Sequence, residues 1–567
     1  MHSRSCRTTV VVAALLLLAG CQTAGPREHL LTTLPLQRET PAPAYYYYLT
    51  AQMSLKRGDV NEAVWLMEKA MEHDPDSLFL KLETANLMLV IKQPDKALAL
   101  LNNILAKDPG HVQALALAGR ILQQQEDTAS AKKLLEKALS GGISDQNVYL
   151  LLGRIYWNEK DWNNALRVFT TQVSRFPDSY AAHYFMGKVL VGQREWSKAE
   201  RAMLQSLKLE PSLEEPRLEL IKIYQAQNRP AMVSRTYRDI LAQNPDHSAV
   251  AIELSLHYRQ IKRPAEAIRL LTDLGRRSLT DESVVTAVYE SFLKDKQYES
   301  AAWILNGLLQ GAPEHSDLHY LAGIACDGLK RHSEALYHLK KVNPGSRFYS
   351  SAAVHRALLY HDTGKIDMAI ATLEKAIERE PKNSDYYFYM GTFYEDIERY
   401  GDALETLERG LAVDERNLKL HFRRGVIFDK MGRKPESIAA MKTVLALKPD
   451  DAEALNYLGY TYADMGINLD EAEKLIQTAL KIKPGDGYIT DSLGWVYYKR
   501  GQYVQALDYL NEAVTLVPDD PTILEHLGDV HIKLNSPSKA LDFYRRSIEK
   551  NPKEKKALEE KIRYLKR

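Results

Sequence analysis

Three cysteines in 567 residues are too few for a disulfide framework, and Lys plus Arg total 75 against 74 Asp plus Glu. Without a net basic field, the chain lacks the electrostatic footprint of a polynucleotide binder. The apolar run Val10–Ala19 is ten residues long, too short to cross a bilayer. Enzyme signatures are missing as well: there is no G-x-x-x-x-G-K-[ST] loop, H-E-x-x-H helix, G-x-S-x-G elbow or paired C-x-x-C. Gly485-x-Gly487 falls in a turn between repeated segments rather than between strand and helix, so it carries no dinucleotide reading. His315 and His319 are spaced to share a helix face, yet a metal would need a third ligand from elsewhere. The expectation is a non-enzyme without metal, cofactor or small-molecule substrate. What is present is 45% hydrophobic and 26% charged residues, the composition of a chain that folds.

The first residues have the form of an export signal, with Arg4 and Arg7 ahead of the apolar run. The run ends in Leu18-Ala19-Gly20-Cys21, which resembles the lipobox of bacterial lipoproteins. That resemblance implies a signal peptide over 1–20, acyl chains such as palmitate on Cys21, and a mature protein beginning there. Gln22 in place of Asp implies sorting to the outer membrane, facing the periplasm. With Cys6 removed and Cys21 lipidated, Cys326 is left without an intramolecular partner, so stability has to come from packing. Pro26, Pro35, Pro41 and Pro43 punctuate a tether over 21–44 that has no helical periodicity. At about 3.1 Å per residue its extended reach is on the order of 70 Å.

Beyond the tether a small residue recurs: Ala63, Ala97, Ala131, Ala165, Ala199, Val233, Ala267, Ala301, Ala335, Ala369, Ala403, Ser437, Ala472, Ala506 and Ala540. Every step is 34 residues except Ser437 to Ala472, which is 35. Twelve positions earlier stands a second small residue, as in Ala51, Gly119, Gly153, Gly187, Gly323, Ala357, Gly391, Gly425, Gly494 and Gly528, which lets two helices approach closely. Twelve positions later comes a stop, among them Pro75, Pro109, Pro177, Pro211, Pro313, Pro381 and Pro552. Apolar residues between these marks recur at three- and four-residue spacing, as in Leu404, Leu407 and Leu411.

This 34-residue pattern resembles the tetratricopeptide repeat (TPR) family over about nine-tenths of the chain. The resemblance implies an all-α, right-handed superhelical solenoid of about fifteen helix-turn-helix repeats over 45–552, closed by a capping helix over 553–567. Bulkier residues take the close-contact position at Ile221, Ser255 and Tyr289, and an irregular bend is expected between Leu213 and Pro313. Tyr45-Tyr46-Tyr47-Tyr48 opens the first helix, with Tyr47 at a core position and the others either covering the end of the stack or meeting a partner.

In this family a set of first-helix positions faces a concave groove, and counting places the candidate partner residues there. One ladder is basic, with Arg120, Arg154, Lys188 and Lys222. A later ladder is acidic, with Asp327, Asp362, Glu395, Asp396, Asp429 and Asp464. Tyr460, Tyr488, Trp495 and Tyr498 form an aromatic set near the C-terminus, open to either a groove or a core reading. The stretches Leu455–Asp464 and Asp491–Tyr498 look like those of proteobacterial TPR lipoproteins. One member of that group tethers a carboxyl-terminal processing protease to the outer membrane and presents cell-wall hydrolases to it. The implied function is a periplasmic adaptor for such proteins. The alternative is a structural assembly lipoprotein of an outer-membrane secretin, pilus or polysaccharide exporter.

Overall fold

The computed structural model describes residues 43–550 and 555–565. The expected export signal over 1–20, Cys21, most of the expected tether over 21–44 and the ends of the expected cap over 553–567 lie outside the described residues. Among those described, the chain is built from α-helices and one π-helical turn, with no strand. They group into two compact units that part between Pro211 and Ser212.

Within each unit, helices alternate as first and second members of repeats. In the first unit, Gln146–Asn158 pairs with Trp162–Arg175, and Tyr180–Gly192 with Trp196–Leu209. The sequence register explains the pairing. A β-carbon added at Gly119, Gly187, Gly391 or Gly494 would come within 3 Å of Leu135, Met203, Leu407 or Leu510, each four residues past the anchoring alanine. Alanines 63, 97, 131, 165 and 199 are fully buried, so the second helix contacts its partner through its smallest side chain.

The turn between paired helices repeats too. Its residue five before the alanine is left-handed in nearly every repeat, from Lys92 (φ 58°) to Lys330 (φ 61°) and Gly364 (φ 74°). The loop between repeats is pinned by a side chain on the following first helix. Tyr149, His183, His319, Tyr387 and His421 each bond the carbonyl six residues before them, at 2.8–3.1 Å. Because a carbonyl can only accept, these bonds fix each imidazole Nε2 as the protonated nitrogen.

In the second unit, Ile221 and Ser255 are absorbed into ordinary helices and are buried. Tyr289 is not. Helix Ser283–Val288 has six residues and passes into a π-helical turn, Tyr289–Leu293, with Tyr289 46% exposed. The following second helix, Tyr298–Gly311, therefore packs chiefly on the preceding second helix, Pro264–Arg277. The approach is backbone to backbone: a β-carbon at Gly275 would strike the Leu308 carbonyl, and one at Gly311 the Thr272 carbonyl.

The unit ends on helix Lys555–Leu565, which buries Leu558 against Ala540 and Tyr544. Lys561 pairs with Glu525 at 2.8 Å and Asp529 at 2.7 Å. At the other terminus, the helix Pro43–Arg57 stacks Tyr47 on His73 and sets Tyr48 edge-on to Phe79, while Tyr45 and Tyr46 are exposed. No described helix is long and apolar enough to cross a membrane.

Candidate functional site

Three consecutive first helices of the first unit, Val112–Gln124, Gln146–Asn158 and Tyr180–Gly192, contain no Asp or Glu. Each carries one Lys or Arg: Arg120, Arg154 and Lys188, spaced 34 residues apart. Arg120 and Arg154 are exposed and have no carboxylate partner among the described residues. Lys188 lies 4.5 Å from the Trp157 ring centroid and 5.7 Å from that of Tyr184, so aromatic faces hold its ammonium. The acids of the same repeats stand elsewhere, where Glu136 pairs with Arg167 and Glu159 with Lys132. This part of the basic ladder is thus an unneutralised row. Lys222, in the second unit, is furnished differently and pairs with Glu219 at 3.0 Å.

The acidic ladder is differently furnished. Asp327 accepts from His355 at 2.9 Å and His332 at 3.2 Å, and His361 is shared by Asp396 (2.8 Å) and Asp362 (3.2 Å). Glu395, 5% exposed, is clamped by Lys430 at 2.9 Å and Arg423 at 3.0 Å. Asp429 pairs with Lys434 at 2.6 Å and takes the Tyr457 hydroxyl at 2.9 Å, and Asp464 sits 3.6 Å from Lys434 and 3.8 Å from Lys499. Burial alone would lower the Lys434 pKa, but Asp429 and Asp464 outweigh it and hold the ammonium charged. The ladder expected to seek cations already has partners, most of them from a neighbouring repeat, because residues 28 to 35 apart sit side by side in a stack. Only Asp362, 70% exposed, is largely open.

Of the aromatic set, Trp495 is a core residue at 8% exposure, not a solvent-facing anchor. It stacks on Tyr498 (4.6 Å, 8°) and on His526 (4.0 Å, 16°), with Tyr460 tilted against His526 at 6.3 Å. His526 and Asp491, both buried, bond at 2.9 Å. Tyr488 stands apart at the start of its helix, 56% exposed. Sequence counting missed Asp491 and His526, although their 35-residue spacing puts them in equivalent neighbourhoods of successive repeats. His315 and His319 bond the Ser278 and Pro313 carbonyls, and no group of three or more metal-ligating side chains occurs among the described residues.

Comparison with known proteins agrees with this architecture. Models described as tetratricopeptide repeat match residues 54–121, 91–155, 150–213, 350–383, 372–405 and 422–487, and one described as TPR repeat matches 494–535. Together they span more than half of the chain, which belongs to the tetratricopeptide repeat family and is an all-α solenoid. Among solved structures, the Naa15/Naa10 assembly bound to HypK-THB is similar over 92% of this chain and 96% of that one, at 13% identity and a TM-score of 0.44. YrrB, a TPR protein with an unusual peptide-binding site, matches at 20% identity over 34% of this chain and 97% of its own, with a TM-score of 0.31. A thermophilic TPR protein of Thermus thermophilus matches at 20% identity over 32% of this chain and 98% of its own, with a TM-score of 0.30. Comparison with curated proteins gives no match. Repeats of this family imply a scaffold for protein–protein interaction.

Proposed function

We propose that the protein is a lipid-anchored adaptor that acts by binding rather than catalysis, and that its first unit holds an acidic, extended segment of a partner protein. One observation carries the binding surface: Arg120, Arg154 and Lys188 line up on three helices that contain no acid. A row of like charges repels itself, and a fold with no ligand for it gains by mixing signs, as the second unit does with Asp429, Lys434 and Asp464. Extended polypeptide suits such a row because carboxylates spaced along it can meet successive repeats. Anchoring through Cys21 at the outer membrane rests on the lipobox, and the choice of a processing protease with cell-wall hydrolases as partners rests on the resemblance of the 455–464 and 491–498 stretches.

The test is recovery of partners from membranes with the lipidated full chain and with an Arg154→Glu, Lys188→Glu variant. The reading requires the variant to fold normally by circular dichroism and to lose a partner that the unaltered chain retains at low salt. Recovery of the same proteins in the same amounts would rule out this face as the docking surface.

A further inference from the structure

In the second unit, the residue nine before the anchoring alanine is a ring in three successive repeats, Tyr224, Tyr258 and Phe292, and again in three more, Tyr360, Tyr394 and Phe428. Between the two runs the position holds Cys326, 3% exposed. In four of these six repeats the residue four before the anchoring position is an arginine that covers that ring, whereas the Phe292 and Tyr360 repeats have Gln297 and Lys365 there. Arg229 lies 4.7 Å from the Tyr224 centroid, Arg263 5.6 Å from Tyr258, Arg399 4.8 Å from Tyr394 and Arg433 4.5 Å from Phe428. Arg331 holds this position beside Cys326 and, among the described residues, has no ring beneath it. Its carboxylate neighbour, Glu334, is 4.0 Å away.

Where the ring of the sister repeats would stand, the surface opens into a cavity of about 600 Å³. Cys326, Arg331, Tyr337 and His338 line it, together with Trp303 and the Arg259 guanidinium that stacks on Trp303 at 4.8 Å. His338 also departs from the repeat, since the corresponding residues of the two preceding repeats are Leu270 and Ile304. Its protonation is fixed by its neighbours. His319 Nε2 donates to the Pro313 carbonyl at 2.8 Å, so His319 Nδ1 accepts from His338 Nδ1–H at 2.9 Å. The His338 Nε2 lone pair is left as an acceptor, and burial keeps the ring neutral.

We propose that this cavity binds a six-membered aromatic ring, and a phenol in preference to a bare phenyl group. The ring slides beneath the Arg331 guanidinium as Tyr394 lies beneath Arg399, and a phenol hydroxyl donates to His338 Nε2. A tyrosine side chain of a partner polypeptide and a free phenol share this chemistry.

The probes are p-cresol, its saturated counterpart 4-methylcyclohexanol, and N-acetyl-tyrosinamide, titrated into the mature full-length chain by calorimetry. The site requires p-cresol to bind at least about tenfold more tightly than 4-methylcyclohexanol. Cys326→Tyr restores the ring of the sister repeats, so it should abolish binding while raising the melting temperature. Arg331→Ala, which leaves the cavity lining otherwise intact, should weaken p-cresol by at least about tenfold with little change in melting, and it carries the test should Cys326→Tyr fail to fold. N-acetyl-tyrosinamide binding as well as p-cresol assigns the ligand to a polypeptide, and binding of p-cresol alone assigns it to a free phenol. No binding of p-cresol, equal binding of the saturated alcohol, or undiminished binding by Arg331→Ala overturns the proposal.

Discussion

A β-carbon at Gly153 would overlap the ring of Phe169, which is itself buried, so the contact between these two residues sets the spacing of their helix pair. Gly153→Leu should therefore cost about 1–3 kcal/mol, the usual penalty for forcing methylenes into a filled core. A denaturant unfolding curve with an unshifted midpoint would show that the paired helices do not meet there. The His319 and His338 pair makes a second prediction at this scale. Burial depresses both pKa values, His338 to about 4. The unfolded chain, with an ordinary histidine pKa near 6.5, takes up those protons first. The pair's contribution to stability is therefore complete above about pH 6.5 and is lost as the pH falls toward about 4. His338→Leu, which restores an apolar residue of the neighbouring repeats, should show a smaller drop in melting temperature over that interval than the unaltered chain. Parallel curves would mean that His338 is not held neutral in the folded protein.

At the scale of helices, the irregular repeat turns on two glycines. Gly275 and Gly311 let Pro264–Arg277 and Tyr298–Gly311 meet backbone to backbone, and neither helix has a flexible side chain at the contact that could give way. Gly311→Ala should cost more than Gly401→Ala, because Gly401 has open space around it. A gap of at least about 1 kcal/mol in urea unfolding is expected. Equal midpoints would contradict the direct packing. The sequence showed that something breaks near Tyr289, since a tyrosine stands where a glycine or alanine is the rule. It did not show how, because the repair depends on glycines in two different second helices and on backbone contact across repeats. Trp495 illustrates the same limit. Its helical position was legible, but whether an indole faces water or a His526 ring depends on the next repeat's side chains. Trp495→Ala should accordingly lower stability by about 3–5 kcal/mol, whereas a groove anchor would unfold at nearly the same denaturant concentration as the unaltered chain.

Across the whole chain, the near-zero net charge conceals two treatments of charge, an unneutralised basic row in the first unit and interleaved ion pairs in the second. The ladders themselves were legible because a period of 34 puts equivalent residues in register. The partners of Glu395, Asp429 and Asp464 were not, because Arg423 and Lys434 reach them from positions the groove count did not include, while Lys430 and Lys499 put cations at the register position that Asp362 and Asp396 hold in earlier repeats. Attachment also belongs to this scale: Cys21→Ser should leave the chain unprocessed and absent from the outer-membrane fraction, and a processed protein still found there would remove the lipoprotein reading. The central claim, that the first unit binds an acidic segment, is tested most directly by fluorescence anisotropy of a labelled peptide rich in Asp and Glu titrated with the full chain at several salt concentrations. Binding should weaken steeply as salt rises, with a flat salt dependence for an Arg120→Gln, Arg154→Gln, Lys188→Gln variant and no comparable loss for Lys222→Gln. Binding of the triple variant that matches the unaltered chain in affinity and salt dependence would contradict it.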